Sequence, residues 1–254
     1  MAFDVEHVVG EVRNASDVFL RPRFRALAAA DIREKSPGEV VTVADEECEA
    51  HLGAALLAVV PGSVLVGEEA ASQDGSLLEL LAGDDPVWLL DPLDGTSAFA
   101  AGSSDYAVMA ALVVRGETVL SVIHQPEYGR TFVAERGSGA HELGAGGLVA
   151  LVPGEPGGRL RGAVMRRFLP PEVAKAVEEN EGRFQSLEPV TKTAGIEYPA
   201  IAAGERDFLL YWRTLPWDHV PGGLLISEAG GKAAHLDGGC YRPAQRREGL
   251  LAGC

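Results

Sequence analysis

Cysteine is scarce and scattered. The three thiols, Cys48, Cys240 and Cys254, fit neither a zinc knuckle nor a disulfide framework, so buried or idle thiols are expected. Basic residues are also few: 22 Lys and Arg stand against 37 Asp and Glu, a net charge of −15. Such a chain lacks a broad basic face for nucleic acid, and it repels phosphate unless cations intervene. No apolar run approaches the roughly 20 residues of a membrane helix. The opening residues, Met1-Ala2-Phe3-Asp4-Val5-Glu6, lack the basic start and apolar stretch of a secretory leader. The expectation is a soluble cytoplasmic protein with neither nucleic acid nor membrane as partner. Internal repeats and low-complexity tracts are missing, which excludes a repeat architecture.

What is present is enough for a packed core. Apolar residues make up 46% of 254 residues, a length that suits one large domain or two modest ones. The most informative stretch is Asp91-Pro92-Leu93-Asp94-Gly95-Thr96, which follows the strand-like run Val87-Trp88-Leu89-Leu90. Pro92 restricts φ and Gly95 permits a tight turn. Asp91 and Asp94 can then face one spot, joined by the Leu93 carbonyl. Hard oxygen ligands of this kind suit Mg²⁺. A helix is expected from Thr96 to Ala101, and helix N-termini offer bare N–H groups to anions. Metal ligands and an anion cradle in one turn point to phosphate-ester chemistry.

The rest of the chain reads as alternating elements. Residues 4–33 have helical spacing that Pro22 interrupts. A polar loop covers Lys35 to Glu39, followed by Val40–Val43 and a helix from Ala44 to Val59. Strands are expected at Ser63–Val66, Val87–Leu90, Tyr106–Val114, Val119–His124 and Arg130–Glu135, with helix or loop at 76–82. Glycines 137, 139, 144, 146 and 147 mark a boundary near residue 148, dividing 1–148 from 149–254. Beyond it, strands at Leu160–Met165, Phe184–Leu187, Asp207–Trp212, Lys232–Leu236 and Gly249–Ala252 alternate with helices at Pro171–Asn180, Ala194–Ala203 and His219–Ala229. Alternation of this kind favours helix layers on sheets.

Three acidic sites follow the ends of strands or turns: Glu68-Glu69, Asp91/Asp94, and Asp218 within Pro216-Trp217-Asp218-His219. If Glu68, Asp91, Asp94 and Asp218 converge, they raise one another's pKa values, and two Mg²⁺ ions cancel the charge. Two metals can clamp an in-line displacement, one activating water and the other steadying the leaving oxygen. No nucleophile–base pair built on Cys, Ser or His is recognisable, so attack by activated water is preferred over a phosphoenzyme. The bland reading is an N-cap for Asp218, a structural histidine for His219, a core thiol for Cys48 and a helix brace for Glu228. Glu69 reads as a support to the site or as a solvated acid.

Asp91-Pro92-Leu93-Asp94-Gly95-Thr96, together with Trp217-Asp218, Gly222-Gly223 and Glu228-Ala229-Gly230-Gly231, resembles the motif pair of the inositol monophosphatase family. The resemblance runs from Lys35 and Val41-Thr42 through Asp45 to the last strand. It implies an αβαβα sandwich, usually a homodimer, and a Mg²⁺-dependent, lithium-sensitive phosphatase for small phosphorylated substrates, with two or three ions and Mn²⁺ as a substitute. Glu68, Asp91, the Leu93 carbonyl, Asp94 and Asp218 are the implied metal ligands. Asp45 and the Thr96 hydroxyl would orient the water, with Glu68 on its metal. The amides of Asp94, Gly95 and Thr96 would receive the phosphate, and Ala194 and Gly195 fall in the substrate-facing loop. Lys35 and the loop to Val40 would form a flap near a weaker third metal.

The resemblance departs at substrate choice. Inositol-specific members place a glutamate before the Trp-Asp pair, whereas this chain has Tyr211-Trp212-Arg213-Thr214. Arg213 meets either an anionic substrate group or a surface carboxylate. A small polyol or sugar monophosphate is the expected substrate. Fructose bisphosphate, histidinol phosphate and 3′-phosphoadenosine 5′-phosphate are the alternatives, and an inactive metal- or ligand-binding regulator is the alternative of another class.

Overall fold

The computed structural model describes residues 4–154 and 157–254. Met1–Phe3, read above for a leader, lie outside the described residues. The chain order begins α1 (Val5–Ala15), β1 (Ile32–Ser36), β2 (Glu39–Thr42), α2 (Val43–Val59), β3 (Val64–Gly67), α3 (Glu68–Gln73), β4 (Val87–Asp94) and α4 (Thr96–Ala100). Strands β5 (Ala107–Val114), β6 (Glu117–Gln125), β7 (Arg130–Glu135), β8 (Gly139–Gly144), β9 (Gly147–Ala150) and β10 (Arg161–Val164) follow. The remainder is α5 (Pro171–Asn180), β11 (Ser186–Pro189), α6 (Ala194–Ala202), β12 (Phe208–Tyr211), α7 (Pro216–Glu228), β13 (Lys232–His235) and β14 (Leu250–Gly253).

Strands β3 to β9 form one sheet in sequence order, with β3/β4 parallel and the other pairs antiparallel. Both faces of its centre are buried, so β4 and β5 read as continuous apolar runs rather than alternating ones. Trp88, Leu90, Val108, Ala110 and Leu112 pack against α1 and α2. Ala107, Met109, Ile123 and Phe132 face the opposite way, onto Tyr198, Ile201, Leu224 and Leu225 of α6 and α7. The same two helices carry the second sheet, ordered β11-β10-β12-β14-β13.

The connection β10–α5–β11 steps one way across that sheet, and β11–α6–β12 steps back the other way. Right-handed crossovers then put α5 and α6 on opposite faces. Because α6 lies between the sheets, α5 forms the outermost layer. The architecture is therefore the expected αβαβα sandwich.

Several elements differ from the sequence reading. The glycine-rich stretch near 137–147 holds two strands, β8 and β9, paired through His141↔Ala150 to Gly144↔Gly147. Glycine disfavours strands, and only the pairing of β8 with β7 and of β9 with β8 secures these. The sheet thus reaches Ala150. A π-turn at Ser16–Leu20 precedes Pro22 and ends the first helical segment. Residues 75–82 are a 3₁₀ stretch. The loop read at Lys35–Glu39 is the turn of a two-stranded hairpin, β1/β2, with Lys35 inside β1. Helix α7 starts at Pro216, which fits the first helical position because its missing N–H has no partner there anyway. Among the described residues no helix is long and apolar enough to cross a membrane.

Candidate active site

Two aspartates three apart on a regular strand would point to opposite faces. Here Asp91 pairs with Met109 and Asp94 with Ala107, so three steps on β4 match two on β5. The extra residue is a β-bulge. Met109 and Ala107 share a face, and residues directly opposite in a pair share theirs. The bulge therefore turns both carboxylates to one side, towards α6 and α7. Gly95 follows with φ of +94°, a left-handed conformation that its missing Cβ permits, and it starts α4. That helix has only five residues, so it contributes free amides rather than a macrodipole.

α6 presses its first turn against Asp94. The Gly195 amide donates to Asp94 Oδ2 at 2.6 Å, and Gln125 Nε2 holds the Gly195 carbonyl at 2.9 Å. A Cβ on Gly195 would collide with the Ala107 methyl and crowd the Asp94 carboxylate, so glycine is what allows this approach. Ala194, beside it, lines the cavity adjoining the site.

Asp45 lies in the first turn of α2 and is fully buried. Its Oδ2 accepts from the Thr42 amide (2.8 Å) and hydroxyl (2.5 Å), a capping box that fixes the helix start. Its Oδ1 accepts from the Thr96 hydroxyl at 2.7 Å, and the Leu93 carbonyl is 3.1 Å from the same hydroxyl. Burial pushes the Asp45 carboxyl up to about 6, against the pull of the two threonines.

Glu68 opens α3, whose N-cap Gly67 has no side chain to cap it. Glu49, from α2, takes over that role. Its carboxylate accepts from the Glu69 amide (2.8 Å) and the Ala70 amide (2.9 Å). Sequence reasoning missed Glu49, although an acid one helical turn beyond Asp45 was the available signal. Lys35 Nζ bridges Glu68 Oε1 (2.6 Å) and Glu69 Oε1 (2.8 Å). Burial works against the Lys35 ammonium, but the two carboxylates outweigh it and hold its pKa above the ordinary lysine value. Glu69 is buried and ion-paired rather than solvated, and burial raises it to about 7.

Glu68, Asp91, Leu93, Asp94, Gly95, Thr96, Asp218 and Lys35 all line one cleft of about 570 Å³. The carboxyls of Asp91, Asp94 and Asp218 are raised, first by burial and then by other acids of the cluster. For Asp91 and Asp94 the strongest such repulsion comes from Glu68, and for Asp218 from Asp94. One oxygen of each of three acids is already engaged: Asp91 Oδ1 accepts from the Leu93 amide at 3.0 Å, Asp94 Oδ2 from the Gly195 amide, and Glu68 Oε1 from Lys35. No three His, Cys, Asp or Glu side chains among the described residues stand as a ready metal group. The donor chemistry nonetheless fits a hard divalent cation. Buried, mutually repelling carboxylate oxygens and a carbonyl are what Mg²⁺ takes, and a cation relieves the repulsion.

The family question is decided by one match. A model described as the inositol monophosphatase family matches residues 5–253. The chain belongs to that family. Among relatives, it is 27% identical over 213 residues to a Thermotoga maritima protein named fructose-1,6-bisphosphatase/inositol-1-monophosphatase, covering 81% of this chain and 75% of the relative. It is 30% identical over 236 residues to a Pseudomonas aeruginosa protein named Nus factor SuhB, covering 89% and 83%. The fold of a Thermotoga maritima inositol monophosphatase superposes with a TM-score of 0.79 at 24% identity, covering 98% of this chain and 91% of that one. The SuhB structure from Bartonella henselae also gives 0.79, at 25% identity, covering 98% and 92%.

The family motifs carry further structural work. His219 uses both ring nitrogens, against the Tyr198 hydroxyl and the Arg213 carbonyl, each at 3.0 Å. Burial lowers its pKa to about 4, which leaves it a neutral structural group. Cys48 is fully buried in the core. Glu228 accepts from the Gly139 amide at 3.0 Å and braces β8. Arg213 pairs with Glu39 of β2 and lies over the Phe168 ring, 4.7 Å from its centroid. Arg167 and Phe168, also on the cleft, carry no motif that sequence alone could single out.

Proposed function

We propose that the protein hydrolyses the phosphomonoester of a small polyol or sugar, with water as the nucleophile. Glu68, Asp91, the Leu93 carbonyl, Asp94 and Asp218 would hold two or three divalent ions, Mg²⁺ or Mn²⁺. Bound there, the ions would neutralise the acidic cluster and lower the pKa of water. The observation that carries the reading is the Thr96 hydroxyl held on the buried Asp45 carboxyl at the edge of the acidic cleft. Thr96 Oγ accepts a hydrogen bond from water and Asp45 receives the proton through it. The water oxygen bonds to phosphorus while the ester P–O bond breaks, and the alcohol leaves with a solvent proton. The amides of Asp94, Gly95 and Thr96 steady the equatorial phosphoryl oxygens. Asp45 doubles as the capping-box acid of α2, so its position is fixed before any substrate arrives.

Phosphate release from a panel of polyol and sugar monophosphates at millimolar Mg²⁺ tests the reading, with lithium as inhibitor. Turnover of at least one ester is expected, and Thr96→Val should lower kcat about 100-fold, the scale of a lost proton-transfer group. No turnover across the panel, or full activity in the variant, removes the reading. The relatives named Nus factor SuhB raise a second one, a binding protein without catalysis. The intact Asp45–Thr96 pair favours the phosphatase.

A further inference from the structure

Within the phosphatase reading, on which this rests, we propose that the substrate's leaving group carries a second anionic group, phosphate or carboxylate, seated by Arg167 and Arg213. The cleft that holds the acids continues into a neighbouring cavity of about 360 Å³, and Arg167, Phe168 and Arg213 line both. Both guanidiniums lie over the Phe168 ring, Arg167 Cζ at 5.1 Å and Arg213 Cζ at 4.7 Å from its centroid. A ring shared in this way fixes where two flexible arginine heads rest, with the Arg167 N–H fork left to face an anion.

The two arginines are held differently. Arg213 is paired with Glu39. Arg167 has neither an ion pair nor a hydrogen bond to a side chain among the described residues, and its guanidinium rests against Gly38 in the turn between β1 and β2. Lys192, 3.5 Å from the Asp105 carboxylate, and the hydroxyl-bearing Ser97 line the far cavity as well. In a chain of net charge −15, an uncommitted guanidinium beside two paired cations at one end of the cleft opposes the general field. A neutral polyol gives them nothing to bind. A planar carboxylate or a phosphate accepts their paired N–H groups, and it lies on the alcohol side of an ester whose phosphorus sits over Thr96.

The test compares a hexose bisphosphate, a phosphorylated sugar acid and a hexose monophosphate that share the scissile ester, in wild type and Arg167→Gln. Wild type should prefer the doubly anionic esters by about tenfold or more in kcat/KM. The variant should lose most of that preference through KM, with the monophosphate unchanged within about twofold. Equal kcat/KM values in wild type, or a variant that weakens all esters alike, overturn the seat while leaving the phosphatase reading intact. Calorimetric binding of the bisphosphate in Mg²⁺ needs no turnover. Binding that depends on Arg167 without hydrolysis keeps the seat and removes the phosphatase reading. Equal binding by both proteins, or none, overturns the seat.

Discussion

The floor and the rim of the cleft hold their charges by different means. The floor is built on β4, whose eight residues are all buried, and its aspartates are aimed by a bulge, a left-handed glycine and an amide from α6. The rim draws on the β1/β2 hairpin and on turns around 166–168 and 213, with long side chains that reach in from exposed backbone. Floor charges repel one another and are fixed by the core, whereas rim charges are opposite in sign, paired or stacked at the surface. A carboxylate set rigidly in a sheet keeps reacting atoms in place. On the proposed seat, an arginine on a turn would meet what the substrate carries. On the proposed reading, the chemistry belongs to the layer fixed in the core, and selectivity to the one at the surface.

Removing a floor acid should have the largest effect. Asp94→Asn keeps an acceptor for the Gly195 amide but deletes a charge that a divalent ion needs. Activity should fall by at least about 100-fold, the upper end of the cost of disturbing a metal's supporting groups. The rise in Tm on adding Mg²⁺, expected for an ion that binds only the folded state, should shrink with it. Wild-type turnover in the variant would break the distinction between floor and rim.

The second effect concerns pH in the metal-free protein. Asp45 keeps its proton more tightly in the folded chain than in the unfolded one, since burial raises it from 3.8 to about 6. Its contribution to stability is full below 3.8 and is lost as pH rises through about 6. The loss is about 2–3 kcal/mol, and Asp91, Asp94 and Asp218 shift in the same sense. Denaturant midpoints should therefore fall between about pH 4 and 7 without metal and flatten when Mg²⁺ is added. A midpoint that rises across that window would show the floor acids stabilised, not strained, by their burial.

Glu49 sharpens the comparison at the smallest scale, because it supports the floor without touching the cleft. Glu49→Ala leaves the Glu69 and Ala70 amides uncapped, costing about 1 kcal/mol. In a chain of this length that lowers Tm by about 2–4 °C. Half-saturating Mg²⁺ should rise about tenfold, because Glu68 is the first residue of the uncapped turn. An unchanged Mg²⁺ titration beside a lowered Tm would confine Glu49 to stability alone.

Much of this was legible from residues alone. Proline, glycine and two aspartates within six positions carry a turn, a ligand set and an amide cradle in local chemistry. The apolar run before them marks a buried strand, and the alternation of elements marks layers. Lys35 and Arg213 drew notice but not their partners, since the ion pair to Glu68 and Glu69 spans more than thirty positions and that to Glu39 spans 174. Strands β8 and β9 were hidden because glycine lowers intrinsic strand preference and only a neighbouring strand restores it.

The sequence by itself determined which groups are available: hard oxygen donors at the ends of strands, a capping threonine before Asp45, small residues where α6 must approach closely. These follow from covalent structure and local conformation, which need no distant partner. Tertiary structure alone decided that Asp91 and Asp94 share a face, that Glu49 caps a helix it does not belong to, and that two arginines share the Phe168 ring. Each of those depends on pairing register or on side chains far apart in the chain, and such contacts exist only once the sheets have closed on their helices.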